Sequence, residues 1–176
     1  MKTAFIGHRE IFVKDIAERL LIAIRTEIEH GCSVFTMGTH GEFDSLALNA
    51  CRGLRKTHKD LEIEVVLTSL HSIERGAELD SVPYSDVKTV MYELEEVHFK
   101  RRITLSNRKM IDGCNALICY VDPSAYRSGA KTAMRYAQKQ GLKVINLFRE
   151  QDRPFYGMTE EEKEVYWKNI SSNGIS

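Results

Sequence analysis

The sequence predicts an α/β fold with an open, mostly parallel sheet and helices on both faces. Short apolar runs rich in β-branched residues alternate with longer stretches in which apolar residues recur at helical spacing. Parallel strands need long crossover connections, and helices usually provide them. The chain has 176 residues, of which 43% are hydrophobic, so it can bury one core. We therefore expect a single sheet domain.

The first half of the chain contains three predicted strands and two predicted helices. The strands are Thr3–Gly7, Ser33–Met37 and Glu62–Thr68. Apolar residues repeat at helical spacing from Ala17 to Ile28, and Gly31 is typical of the end of a helix. The same spacing recurs from Leu46 to Leu54. The resulting order is strand, helix, strand, helix, strand.

A long loop interrupts the alternation before the second half. Residues 71–86 have no clear period and include Pro83, so we predict a surface loop, followed by an edge strand at Val87–Tyr92. Apolar spacing then predicts a helix that ends near Gly113. The next run, Asn115–Val121, is apolar throughout, which indicates a central parallel strand buried on both faces.

The last predicted helix of the sheet domain is rich in small residues. It includes Ala130 to Ala137 and ends at Gly141. Small side chains allow such a helix to lie close to a sheet. The final predicted strand, Lys143–Phe148, follows directly.

The chain divides into a domain of residues 1–150 and a tail of residues 151–176. In the tail, Thr159 and Glu162 have the spacing of a capping box, in which each side chain accepts from the other residue's backbone N–H. This spacing predicts a short helix from there to about Ile170. The acidic residues of its first turn favour the start of a helix, so they need no further function.

Composition and charge exclude several classes of protein. Lys plus Arg equal Asp plus Glu at 25 each, so no overall field attracts DNA or an anionic membrane, and any anion site must be local. The first residues are too polar for a signal peptide, and no apolar run could span a bilayer, so we expect a cytoplasmic protein without membrane contact. The four cysteines have no metal-type spacing, so we expect buried free thiols.

Two loops after predicted strands carry unusual residues. In such sheets ligands bind at the carboxyl ends of the strands. The first loop places His8 and Arg9 directly after Gly7, although an ordinary turn explains this too. The second, from Gly38 through Gly41 to Asp44, offers backbone N–H groups to an anion and a carboxylate to a sugar hydroxyl or a proton. By itself, Asp44 is more simply explained as a helix N-cap.

A third loop enters the helix of small residues. The segment from Ser128 through Gly129 to Lys131 and Thr132 begins that helix, where unpaired N–H groups and the positive end of the helix dipole favour an anion. Small residues at a helix start are also common for packing reasons. Together, the three loops predict an anion or nucleotide site at one edge of the sheet.

Four stretches of this chain are similar to a known superfamily. They read "FIGHR", "GEFDSLA", "NRKMIDGCNALICYV" and "RSGAKTAMRYAQKQGLKVINLF". They resemble the SLOG superfamily, the Rossmann-like fold shared by the DprA/Smf and LOG (lonely guy) proteins, and most closely its YpsA-like, DUF1273-type branch. The resemblance runs from Lys2 to about Phe148. It implies a Rossmann-like fold, a nucleotide-like ligand and a homo-oligomer.

The LOG signature joins an Arg-Lys pair on a helix to a glycine-rich segment after the next strand. Arg108-Lys109 match the pair. In the glycine-rich segment Gly129 and Thr132 match, whereas Ser128 and Lys131 replace glycines. Beside a helix start, Arg108 and Lys131 would still favour phosphate, because Arg offers a bidentate fork and Lys a mobile charge.

Arg135 stands where the LOG signature has its catalytic glutamate. Glycosidic cleavage passes through an oxocarbenium-like transition state, which a carboxylate stabilises and a guanidinium opposes. LOG-type hydrolysis is therefore not expected of this chain. The implied binding half is kept and the implied catalytic half is lost.

The leading hypothesis is that the protein binds a nucleotide or nucleotide-derived ligand, as a sensor for example. The candidate ligand-binding residues are Gly7, His8, Arg9, Gly38, Gly41, Asp44, Arg108, Ser128, Gly129, Lys131 and Thr132.

Two other functions stay open. One is a nucleoside or nucleotide hydrolase or transferase that uses Asp44 or Glu42 as its carboxylate, opposite Arg108 across the cleft. The other is binding of single-stranded nucleic acid through the basic residues 100–102 and 108–109, which the zero net charge disfavours. We expect no metal and no cofactor, because His8, His40 and His71 on separate loops are more typical of solvent-exposed histidines.

Overall fold

A computed structural model describes residues 1–67, 84–92, 94, 97–155, 159, 161, 162, 164, 165 and 168. The strands in this part of the chain are β1 (Lys2–Gly7), β2 (Val34–Met37), β3 (Glu62–Leu67), β4 (Lys88–Met91), β5 (Ala116–Tyr120) and β6 (Lys143–Asn146). The α-helices are α1 (Ile16–Glu29), α2 (Glu42–Arg55), α3 (Phe99–Asp112) and α4 (Gly129–Lys139). Two 3-10 segments, Tyr84–Asp86 and Glu150–Phe155, precede β4 and follow β6.

The six strands form one sheet in the order β4-β3-β2-β1-β5-β6, and every neighbouring pair is parallel. The predicted α/β class is confirmed, and the fold is Rossmann-like. From β1 the chain builds outward to β4, and it then returns to place β5 on the other side of β1. The order in which strands are added to the sheet therefore reverses between β1 and β5. In folds of this kind, ligands bind at the carboxyl ends of the strands beside such a reversal.

Helices cover both faces of the sheet, as predicted. Side chains of α1 and α2 pack with Phe5, Phe35 and Ile118 on one face. Side chains of α3 and α4 pack with Ala4 and Leu117 on the other. Alternate residues of a strand face opposite sides, so the uninterrupted apolar run of β5 fills both cores at once. This confirms the prediction of a central strand buried on both faces.

Several local predictions are also confirmed. Gly31 and Gly141 have φ angles of +86° and +78°, the left-handed conformation that ends a helix. β4 is an edge strand of the sheet, as predicted. In the tail, Thr159 Oγ1 accepts from the Glu162 N–H at 3.2 Å, and a Glu162 carboxylate oxygen accepts from the Thr159 N–H at 2.7 Å. The predicted capping box is present.

Two predictions need correction, and a third falls largely on residues outside the described ranges. The last strand ends at Asn146 rather than Phe148, because the Asn146 amide hydrogen-bonds to both the N–H and the carbonyl of Val121 in place of further strand pairing. The predicted loop 71–86 ends in a 3-10 turn at Tyr84–Asp86, and its other residues lie outside the described part of the chain. Of the four free thiols, Cys114 is partly exposed and the other three are buried.

A buried ion pair attaches the segment after β6 to the first helix. The Arg19 guanidinium donates to both carboxylate oxygens of Asp152, at 2.6 and 3.0 Å, and to the Leu147 carbonyl at 3.0 Å. Asp152 is 1% exposed. None of the helices in the described ranges has the length and apolar character needed to cross a bilayer.

Candidate functional site

A cleft of about 370 Å³ opens at the carboxyl edge of the sheet, beside the reversal of strand order between β1 and β5. It meets the start of α2, the start of α4 and the middle of α3. Its described lining residues are Ile6, Gly7, His8, Arg9, Gly38, His40, Gly41, Asp44, Ile103, Thr104, Asn107, Ser128, Gly129 and Ala130. The three loops singled out in the sequence therefore surround one cavity.

Close backbone contacts hold the first two loops together. A Cβ atom at Gly41 would lie 3.0 Å from the Cα of Arg9, so the β1–α1 loop rests directly on the start of α2. The Glu42 N–H donates to the Arg9 carbonyl at 2.8 Å and secures this contact. A Cβ at Gly38 would lie 3.0 Å from a carboxylate oxygen of Asp44. The absence of a side chain at Gly41 thus makes room for the backbone of Arg9, and its absence at Gly38 makes room for the Asp44 carboxylate.

The start of α4 presents free backbone N–H groups to the cleft. Ser128 is the N-cap, and its hydroxyl accepts from the Lys131 N–H at 3.1 Å. The Thr132 N–H donates to the Ser128 carbonyl. No acceptor in the described residues pairs with the N–H groups of Gly129 and Ala130, which both line the cleft. They lie at the positive end of the helix dipole, so an anion is the ligand that they favour.

An arginine supplies positive charge to the same cleft. Arg9 is exposed and lines the cleft, and its guanidinium makes no ion pair or hydrogen bond with the part of the chain that the structure describes. An unpaired guanidinium offers up to five donors in a planar fork that fits phosphate or carboxylate. Arg9 and the start of α4 are the electropositive groups of the cleft.

Asp44 is the carboxylate of the cleft. It lies in the first turn of α2, and its Oδ2 accepts from the His40 N–H at 3.0 Å. Burial raises the pKa of the Asp44 carboxyl from 3.8 to about 6, although the His40 N–H favours the charged form. Asp44 is therefore an acid whose protonation changes near neutral pH. The helix N-cap is Gly41, so the simpler N-cap interpretation of Asp44 is wrong.

Two partly buried histidines line the cleft, and burial favours their neutral form. Burial lowers the pKa of His40, and the charge of Arg9 acts in the same direction. Burial also lowers the pKa of His8, and the charge of Asp122 opposes this. The Nε2 atom of His8 accepts from the Asp122 N–H, which requires the neutral ring. Within the described ranges, no three His, Cys, Asp or Glu side chains are grouped as a metal site.

Three predicted ligand-binding residues lie outside the cleft lining. Arg108 is exposed, and its guanidinium carbon lies 5.3 Å from the centre of the Tyr136 ring, between α3 and α4. The Lys131 ammonium donates to the Ala125 carbonyl at 3.0 Å, and the Thr132 hydroxyl donates to the Ser128 carbonyl at 3.0 Å. None of these three side chains lines the cleft, so the structure does not place Arg108 or Lys131 at the phosphate position that was predicted for them.

Glu42, the other candidate carboxylate, also lies outside the cleft lining. Its Oε2 accepts from the backbone N–H of Ile11 at 2.8 Å, and Glu42 does not line the cleft. It therefore braces the loop after β1, and Asp44 is the candidate carboxylate that reaches the cavity.

The sequence interpretation missed Asn107 and Thr104 on α3, which line the cleft. A signal for Asn107 exists in the sequence. It falls four residues after Ile103 and three before Met110, so a polar amide interrupts the apolar stripe of the helix. Arg108 lies about 100° further around the helix axis and therefore faces away from that stripe.

Neither a scan of protein-family models nor a search of curated proteins gave a match to this chain. The interpretation of the cleft therefore depends on its own geometry. Eight of the eleven predicted ligand-binding residues line it, and its described lining combines helix N–H donors, a guanidinium without a described partner and one carboxylate.

Proposed function

We propose that the protein binds a nucleotide or nucleotide-derived ligand in this cleft, with a phosphate at the start of α4. The observation that carries the proposal is that the N–H groups of Gly129 and Ala130 and the Arg9 guanidinium of the same cavity have no hydrogen-bond partner among the residues that the structure describes. Membership of the SLOG superfamily is part of the proposal and agrees with the Rossmann-like fold.

The charges of the cleft favour a phosphate over a neutral ligand. Arg9 contributes a full positive charge and the α4 N-terminus about half a charge. Asp44 is the only carboxylate among the described lining residues, and its raised pKa weakens its repulsion of an anion. The amide of Asn107 and the carboxyl of Asp44 suit the hydroxyl groups of a sugar. The cavity volume is in the range of small-ligand sites.

Substitutions at Gly129 test the phosphate position. A Cβ there would meet no atom within 4 Å, so Gly129→Asp and Gly129→Asn both fit. We expect Gly129→Asp to abolish binding of AMP or ADP in calorimetry, because its carboxylate repels phosphate while it still suits a helix start. Gly129→Asn, of equal size and neutral, should keep most of the affinity. Equal affinity of the two variants would contradict the proposed phosphate position.

A second pair of variants tests the guanidinium. We expect Arg9→Met to weaken nucleotide binding at least tenfold, whereas Arg25→Met, an exposed arginine of α1, should leave it unchanged. Thermal stabilisation gives the same information, because a ligand at 100 times its Kd adds about 2.7 kcal/mol. A screen of the common nucleotides without any stabilisation would count against the proposal.

Asp44 favours a second candidate function, hydrolysis or transfer at the glycosidic bond of a nucleoside or nucleotide. It is a carboxyl group with a pKa of about 6 in the cleft, as general acid–base catalysis requires. Arg9 would replace Arg108 as the cation of this site. Release of free base from nucleotides, abolished in Asp44→Asn, supports it, and no release at high protein concentration argues against it.

A further inference from the structure

The loop between β5 and α4, which ends at the cleft residue Ser128, carries an exposed aromatic side chain. Tyr126 is 84% exposed, although a large aromatic side chain is normally buried to a substantial degree. The guanidinium carbon of Arg127 lies 5.1 Å from the centre of its ring, which is a cation–π contact on one side. The three residues after Arg127 line the cleft.

This loop is held in place by its own contacts. The Asp122 carboxylate accepts from both the N–H and the hydroxyl of Ser124, and the Ala125 carbonyl accepts from the Lys131 ammonium. Arg127 has a φ of +52°, a conformation that costs a non-glycine residue about 1–2 kcal/mol, so surrounding contacts must maintain it. The loop that carries Tyr126 is thus held in one conformation before a ligand binds. A ligand that contacts the ring therefore loses little free energy in ordering this loop.

The aromatic rings among the described lining residues of the cleft are the imidazoles of His8 and His40. None of its described lining residues is Phe, Tyr or Trp. Tyr126 and Gly129 are three residues apart, so their Cα atoms lie at most about 11 Å apart. Because this separation is short, a flat group attached to a phosphate at Gly129 would be near the loop that carries Tyr126.

We propose that Tyr126 is a stacking platform for the base of the bound nucleotide, with Arg127 on one side of the ring and the base on the other. This inference rests on the proposed function and adds the position of the base. Stacking uses the π-face that every base has, so the platform selects for an aromatic group and tolerates different bases. Purines, with the larger face, bind more tightly than pyrimidines there.

The test compares ligands with and without a base. Calorimetry is done with AMP, CMP and ribose 5-phosphate on the full chain and on Tyr126→Ala, Tyr126→Leu and Tyr126→Phe. We expect Ala and Leu to weaken AMP binding about 5- to 150-fold, the effect of losing one base–aromatic stack. Binding of ribose 5-phosphate should not change. Tyr126→Phe should bind AMP within about twofold of the unsubstituted chain, because the ring is kept.

The outcomes separate this inference from the proposed function. If Gly129→Asp abolishes AMP binding and Tyr126→Ala does not change it, the platform is wrong and the phosphate site stands. If Tyr126→Ala weakens the binding of ribose 5-phosphate as much as the binding of AMP, Tyr126 affects the conformation of the loop rather than the base, and the stacking proposal is also wrong. If the unsubstituted chain binds neither AMP nor CMP, both proposals fail. The exposure of Tyr126 makes loss of folding a minor concern for all three variants.

Discussion

The Nε2 atom of His8 accepts a hydrogen bond from the backbone N–H of Asp122 at 2.9 Å. This bond joins the loop after β1 to the loop after β5, across the position where the strand order reverses. The Asp122 carboxylate in turn accepts from Ser124 and from the Arg153 guanidinium, at 3.2 Å for the latter. One neutral imidazole thus links the wall of the cleft to the segment that follows the sheet.

Acid should weaken this link, because a protonated His8 has no acceptor for the Asp122 N–H. Burial lowers the pKa of His8 below 6.5, so the unfolded chain takes up the proton first as the pH falls. The stability contributed by neutral His8 is therefore complete above about pH 6.5 and is lost below it. His8→Gln keeps an acceptor that does not titrate, and it should flatten the pH dependence of the free energy of unfolding in this range.

Denaturant unfolding from pH 8 to pH 4.5 checks the role of His8. Substitution of an exposed histidine, His58→Gln, is the matched control and should preserve the pH dependence of the unsubstituted chain. If His8→Gln and the unsubstituted chain lose stability in parallel, the His8–Asp122 bond does not depend on protonation.

Asp44 should have the opposite pH dependence. Its pKa is raised from 3.8 to about 6, so the charged form destabilises the fold above pH 6, and this cost disappears as the pH falls towards 4. Asp44→Asn keeps an oxygen for the His40 N–H and removes the charge. We expect it to raise the free energy of unfolding at pH 8 by about 1–2 kcal/mol and to have little effect near pH 4. A loss of stability at pH 8 would contradict this.

Gly7 is required by packing. A Cβ at this position would overlap the ring of Phe43, which is fully buried and stacked on Tyr120. Gly7→Ala should destabilise the fold by about 1–3 kcal/mol, since the core must shift to make room. Gly53→Ala is the matched control, because Gly53 lies on α2 with open space around it, and it should stabilise by about 0.5–1 kcal/mol. Thermal unfolding of both variants gives the two signs directly.

The buried Arg19–Asp152 pair should contribute strongly to stability. Arg19→Met leaves the Asp152 carboxylate buried without its guanidinium, and we expect a loss of about 3–5 kcal/mol in urea unfolding. Arg149→Met removes only an exposed contact with Asp15 at 3.7 Å and should cost less than about 1 kcal/mol. Adding Asp152→Asn to Arg19→Met should restore part of the loss, because the buried charge is then gone. No recovery would mean that packing, not charge, explains the effect.

Much of the fold was predictable because the signals that predict it are local. The apolar run of β5, the glycines at 31 and 141 and the capping box of Thr159 and Glu162 each act within a few residues of their own position. Strand ends were less accurate. The amide of Asn146 ends β6 by bonding to Val121, which is 25 residues away, and no spacing in the sequence indicates this pairing.

The loops that form the cleft were identifiable from the sequence, since glycines, a helix start and an arginine after a strand have the same chemical character in any fold. Which side chains reach the cavity depended on tertiary structure. Arg108 and Asn107 are neighbours in the chain, yet helix rotation sends one to Tyr136 and the other to the cleft. His8 reaches Asp122 only because burial of the apolar strands places β5 beside β1. That strand order depends on contacts between residues far apart in the chain, which no local pattern specifies.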